Sequence, residues 1–178
     1  MNSTTVKQVE AVPTRYPFAS PFWNVECAPE DNPPNDWQIW QRIESYIAYR
    51  YTPRQVVWTV EGEGDWTPPL APTIVDTVQK WESGAWVSVS LPEGPYGYCL
   101  PSDGPYRITA TVGGGEVPAS VEGAFKRLHE YTRGIDDNFK NEAAMRSGYD
   151  TEYVANWAAK SLQLSGAADL LRNYRRVQ

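Results

Sequence analysis

The feature of this sequence that most restricts its fold is a change in the period of its apolar residues, from helical to two-residue and back again. Trp37, Trp40, Ile43, Ile47 and Tyr51 recur at near-helical spacing behind Asn35-Asp36-Trp37-Gln38, a capping residue followed three positions on by Gln. This predicts a first helix that ends before Pro53. From Gln55 to Val112 the period is two. Val56, Trp58 and Val60 alternate with Val57 and Thr59, and Ala85, Val87, Val89 and Leu91 alternate with Trp86, Ser88 and Ser90. Ser83-Gly84 reads as a hairpin turn, and Ser102-Asp103-Gly104-Pro105 reads as another, between Tyr96, Tyr98, Leu100 and Tyr106, Ile108, Ala110, Val112.

After Gly113, Gly114 and Gly115 the helical period returns. Pro118 suits a first helical turn, Val121, Ala124, Phe125 and Leu128 share one face, and Gly134 is the expected stop. Residues 135 to 150 read as a loop or a short extra helix. A third helix carries Tyr153, Val154, Trp157, Ala158 and Leu162 and ends near Gly166. The expected fold class is therefore α+β. It is a bundle of about three main helices with a small antiparallel β-sheet, about 55–112, inserted between the first and second helices. The expected organisation is an extended N-terminal arm at 1–34, a single α+β domain at 35–166 and a C-terminal docking tail at 167–178. The arm is rich in Pro and polar residues and carries the aromatics Tyr16, Phe18, Phe22 and Trp23, which suit packing on a partner surface.

Charge and chemistry narrow the function. The chain has 178 residues and a formal charge of −6, which argues against gripping nucleic acid by neutralising phosphates. Cys27 and Cys99 are too few for a disulfide scaffold or metal cluster and are read as reduced and inert. Met1 to Val12 lack a basic start and an apolar run, and no stretch reaches bilayer-spanning length, so a cytoplasmically made protein with no membrane partner is expected. The single histidine, His129, has no Ser, Cys or second His at a useful spacing, so it is read as a surface or packing residue. Gly113 to Gly115 lie where a phosphate loop would, but no Lys-Ser or Lys-Thr follows, and a turn is the reading. Glu61, Glu63 and Asp65 would suit a hard cation, yet match no complete calcium loop and read as a solvated acidic loop. No catalytic, cofactor or metal residue is assigned. The last stretch is different: Leu170, Leu171 and Tyr174 stand among Arg172, Arg175 and Arg176, apolar and basic in an acidic chain, and read as a partner-docking tail.

Three stretches carry a resemblance. They are Ile43-Glu44-Ser45-Tyr46-Ile47 leading into Tyr51-Thr52-Pro53-Arg54-Gln55-Val56-Val57-Trp58, Tyr106 to Gly113 leading into Val117-Pro118, and Gly166-Ala167-Ala168 with Leu170-Leu171-Arg172-Asn173-Tyr174-Arg175-Arg176. Over roughly residues 36 to 178 the chain resembles the head-tail adaptor proteins of long-tailed bacteriophages and gene transfer agents. The resemblance implies a non-enzymatic virion protein of the neck between capsid and tail. It implies a homo-oligomeric ring, twelvefold in known members, between the portal protein and a tail-side stopper or terminator. DNA would pass through the channel without specific binding, and no cofactor is implied. It also implies that Leu170, Leu171, Arg172, Tyr174, Arg175 and Arg176 contact the portal. In place of the family's amphipathic leading helix this chain has the arm, which would wrap a neighbouring subunit. Two other classes stand beside this one: a carbohydrate-binding or other small β-rich binding module of a tail or surface protein, whose sheet aromatics would hold sugar rings, and an enzyme using the acidic loop.

Overall fold

The structure is a computed structural model that describes residues 3–17, 34–143 and 160–175. Its contacts divide the chain into two compact units, Met1–Arg15 with Ala48–Gly115 and Tyr16–Ile47 with Glu116–Gln178, a division that cuts across the boundaries drawn from sequence at 34 and 166.

The first unit is all β. Its five-stranded antiparallel sheet runs in the order β1-β2-β8-β4-β5, built from β1 (Thr4–Glu10), β2 (Arg54–Glu61), β4 (Thr73–Glu82), β5 (Ala85–Ser88) and β8 (Tyr106–Val112). A second sheet, in the order β3-β7-β6, holds β3 (Gly64–Trp66), β6 (Glu93–Gly94) and β7 (Gly97–Leu100). The central pair β2 and β8 alternates strictly, with Val56, Trp58, Val60, Tyr106, Ile108, Ala110 and Val112 all fully buried. Trp66, Leu70 and Leu100 join them to close the core. The edges of the two Trp rings meet, with the Trp58 and Trp66 centroids 5.5 Å apart, an arrangement that aromatic quadrupoles favour.

The expected three-helix bundle with a small inserted sheet is therefore corrected. Among the described residues there are eight strands in two antiparallel sheets, against four α-helices of which two are single turns. The difference has two sources. The strand Thr4–Glu10 lies in the stretch read as an arm. The short strands β3 and β6 are two or three residues long and too brief to show a period. Of the expected third helix, Leu162 lies in the turn Ser161–Leu164, and Tyr153, Val154, Trp157 and Ala158 lie outside the described residues. The Ser83-Gly84 turn joins β4 to β5, with Glu82 opposite Ala85 and both turn residues at positive φ, as a tight hairpin requires. The second expected hairpin does not form, because β7 pairs with β3 and β6 while β8 pairs with β2 and β4.

Strand β1 was illegible in the sequence because it buries little of its own surface. What it contributes is polar. The Trp58 indole N–H donates to Gln8 Oε1 at 2.9 Å, and the Trp66 indole N–H donates to Thr5 Oγ1 at 3.0 Å. Arg50 Nε donates to Glu10 Oε1 at 2.6 Å, and Arg54 Nη1 donates to the same oxygen at 3.1 Å. Both guanidiniums are buried, so a carboxylate here meets charges that water does not reach.

The second unit is helical in its described parts. Helix α1 (Pro34–Tyr46) ends earlier than expected, and Tyr51 belongs to the other unit. Helix α2 (Ala119–Ala143) runs through Gly134, the expected stop, at a cost of about 1 kcal/mol relative to Ala. It is followed by the single turns α3 (Ser161–Leu164) and α4 (Ala167–Leu170) and a 3₁₀ turn, Arg172–Tyr174. Trp40 and Ile43 of α1 are buried, as are Val121, Ala124, Phe125 and Leu128 of α2, with Trp40 and Phe125 centroids 5.2 Å apart. Tyr16 is also buried and meets Trp37 edge to face at 5.5 Å.

Replacing Glu10 by Ala is expected to cost about 3 kcal/mol, because it leaves two buried guanidiniums without their shared carboxylate. Urea unfolding followed by Trp fluorescence checks this; Glu61→Ala, at an exposed position, should change stability by less than about 0.5 kcal/mol.

Candidate functional site

The C-terminal segment divides into a packed half and an exposed half. Ala167 and Leu171 are fully buried in the helical unit, and Leu170 is half-buried, its Cδ1 3.4 Å from where a Cβ at Gly123 would stand. Leu171 is thus a core residue and is not presented to a partner. The Tyr174 hydroxyl lies 3.1 Å from Ser120 Oγ, which anchors the ring at the start of α2. Arg172 and Arg175 are exposed. The Arg175 guanidinium rests 4.7 Å from the centroid of the Tyr46 ring, a cation–π contact that sets its direction while leaving it open to solvent. Arg176 lies outside the described residues. Of the six residues read as a docking set, the structure brings the apolar ones into the fold and leaves Arg172 and Arg175 on the surface.

The acidic loop is an exposed crossing between the two sheets: Glu61 ends β2, Asp65 lies in β3, and Gly62 and Gly64 turn the chain at positive φ. Among the described residues no group of three or more His, Cys, Asp or Glu is arranged to hold a metal ion. The glycine run has a structural reason. Gly113 has φ of 99°, and a side chain there would strike the Thr52 carbonyl oxygen while its own N–H donates to Pro72 O at 3.0 Å. Cys99 is free and half-buried, and Cys27 lies outside the described residues. Among the described residues no helix is long and apolar enough to cross a membrane.

His129 does have a charged neighbour. Its Nε2 lies 3.7 Å from Oδ1 of buried Asp36, and its ring stacks on Phe125 at 6.2 Å. Burial pushes the Asp36 carboxyl above the ordinary 3.8, and the nearby imidazole opposes that rise. A carboxylate and an imidazole held together against the Phe125 ring form a packing contact.

An aromatic ladder was not read as a unit in the sequence. Trp81 and Trp86 face each other across β4 and β5 with centroids 5.1 Å apart, and Trp81 is 43% exposed. Arg107 of β8 lies 4.6 Å from the Trp86 ring centroid and donates from Nε to Gln79 Oε1 at 2.9 Å. The signal was present: Trp81 and Trp86 are symmetric about the Ser83-Gly84 turn, so the hairpin register alone makes them partners.

Comparison of the chain with protein families, with curated proteins and with solved structures finds no match.

A raised carboxyl makes folding favour the protonated form, so the Asp36 contribution is full below pH 3.8 and is lost as pH rises through the folded value. Asp36→Asn is expected to remove that decline, and urea midpoints of the two proteins between pH 3.8 and neutrality check it. Parallel pH curves for the two would refute the assignment.

Proposed function

We propose that the chain is a structural virion protein, a head-tail adaptor that forms a ring between the portal and the tail-side connector and lines the DNA exit channel, without catalysing a reaction. The observation that carries the reading is the C-terminal segment. Its apolar side chains fasten it to the helical unit, and Arg172 and Arg175 stand out from it, followed by Arg176. A basic patch fixed on a folded base is a docking device for an acidic surface, and Arg is the side chain that most often anchors such contacts. Support also comes from the net charge of −6, since an acidic conduit repels phosphate and lets DNA slide. The resemblance of the three sequence stretches supplies the identity of the partners.

A deletion of residues 167–178 would take buried Leu171 out of the core, so charge reversal is the cleaner test. The triple variant Arg172→Glu, Arg175→Glu, Arg176→Glu is expected to unfold at the same urea concentration as the parent and to fail to join the portal ring in electron micrographs. Normal joining by that variant would sink the adaptor reading.

A second reading, a small β-rich binding module of a tail or surface protein, has the architecture more directly on its side. The eight strands form a unit of their own, and Trp81 is exposed on it beside Trp86 and Arg107. If this reading holds, oligosaccharides should change the Trp fluorescence of the isolated chain, and Trp81→Ala should abolish the change. Silence across a panel of neutral and acidic oligosaccharides leaves the module without its ligand.

A further inference from the structure

Strand β4 is paired along most of its length on one side only. It meets β8 from Thr73 to Lys80, but β5 covers just Gln79 to Glu82, with one further bond from the Val89 N–H to the Val78 carbonyl at 3.0 Å. Beyond Val89 the chain turns away to β6 in the other sheet. Among the described residues Thr73 to Thr77 therefore has no strand on its far side, and such a row of backbone groups is a template for an added strand.

Beside this free edge lies a slot of about 360 Å³ between the first half of β4 and residues 88–93. Val75, Val78, Val89 and Leu91 line it and pack against the core behind them. Asp76 and Glu93, both exposed, are also in the lining. The pairing of β4 with β8 slips between Val75 and Thr77, making Asp76 the extra residue of a bulge, a feature that re-aims a side chain. Asp76 Oδ2 accepts from Thr111 Oγ1 at 3.0 Å, and among the described residues neither acid has a cationic partner.

Apolar walls with carboxylates among them match one kind of side chain, a methylene stem ending in a cation. A sugar would want rings to stack on, and among the described residues Tyr98 is the one aromatic in the lining. We propose that this slot docks an extended segment of a partner protein, its backbone pairing with the free edge of β4 and one Lys or Arg side chain entering between Asp76 and Glu93. The partner is another protein that presents a basic extended segment, because Asp76 and Glu93 make the slot acidic and a cation on the added strand is their complement. The site belongs to the β unit, whereas the residues that carry the adaptor reading belong to the helical unit, so either can fail alone.

The probe is a labelled, end-blocked pentapeptide, Thr-Val-Lys-Val-Thr, titrated into the full chain by fluorescence polarisation. It is expected to bind, to weaken with added salt, and to lose about tenfold or more in affinity for the double variant Asp76→Asn, Glu93→Gln, whose exposed positions leave the urea midpoint in place. Replacing the peptide Lys by norleucine should give the same loss, and replacing either Val by Pro should remove binding by deleting a backbone donor. No binding of the Lys peptide at about millimolar concentration overturns the proposal, since weak specific contacts register there. Equal binding of the norleucine peptide, or unchanged affinity of the double variant, also overturns it. So does self-association of the parent chain in sedimentation that the double variant abolishes, which would give the slot to a second copy.

Discussion

The β unit depends on one strand that is almost entirely surface. Its core places two tryptophans and two arginines where water does not reach, and each such donor must find an acceptor or forfeit a desolvation penalty of about 1–3 kcal/mol, more for a charge. Thr5, Gln8 and Glu10 supply those acceptors from the edge of the sheet. The large side chains of β2 and β3 can be buried because β1 satisfies their polar ends, and Glu10 fastens Arg50 and Arg54 at the entry to β2. A segment with few apolar contacts of its own thus makes the hydrophobic core permissible.

The helical unit applies a related logic to the chain's last residues. Leu171 and Ala167 go into packing, Tyr174 into a hydroxyl pair with Ser120, and Arg172 and Arg175 are left at the surface. An anchored basic patch loses less entropy on binding than a free tail would, since its backbone is already fixed. That favours a docking role over a merely solubilising one. The adaptor reading gains a defined patch from this arrangement and gives up Leu171 as a contact residue. The β unit offers a different kind of surface, an open strand edge and an exposed Trp, and binding through it needs neither a ring nor a portal.

The alternation of Val56, Trp58, Val60 and of Tyr106, Ile108, Ala110, Val112 was legible from sequence and is the centre of the larger sheet, because a period of two buries one face whichever strands lie beside it. The helical face Val121, Ala124, Phe125, Leu128 was legible for the same reason at period 3.6. What could not be read was pairing beyond the tight Ser83-Gly84 turn. Nothing in Tyr98-Cys99-Leu100 says that its neighbour is Gly64-Asp65-Trp66 and not the next strand along, since β7 and β8 look like a hairpin until the second sheet is seen.

By itself the sequence determined the central strands β2 and β8 and the apolar faces of α1 and α2, and that the chain carries a basic, apolar end on an acidic body. The tertiary structure decided which of those end residues are buried, that a polar strand at the start of the chain completes the sheet, and that β4 keeps a free edge beside Asp76 and Glu93. The physical reason is range. Periodicity records how a segment meets an interior, and is local; a buried indole's acceptor or a carboxylate's donor lies tens of residues away, where only the closed fold brings it into reach.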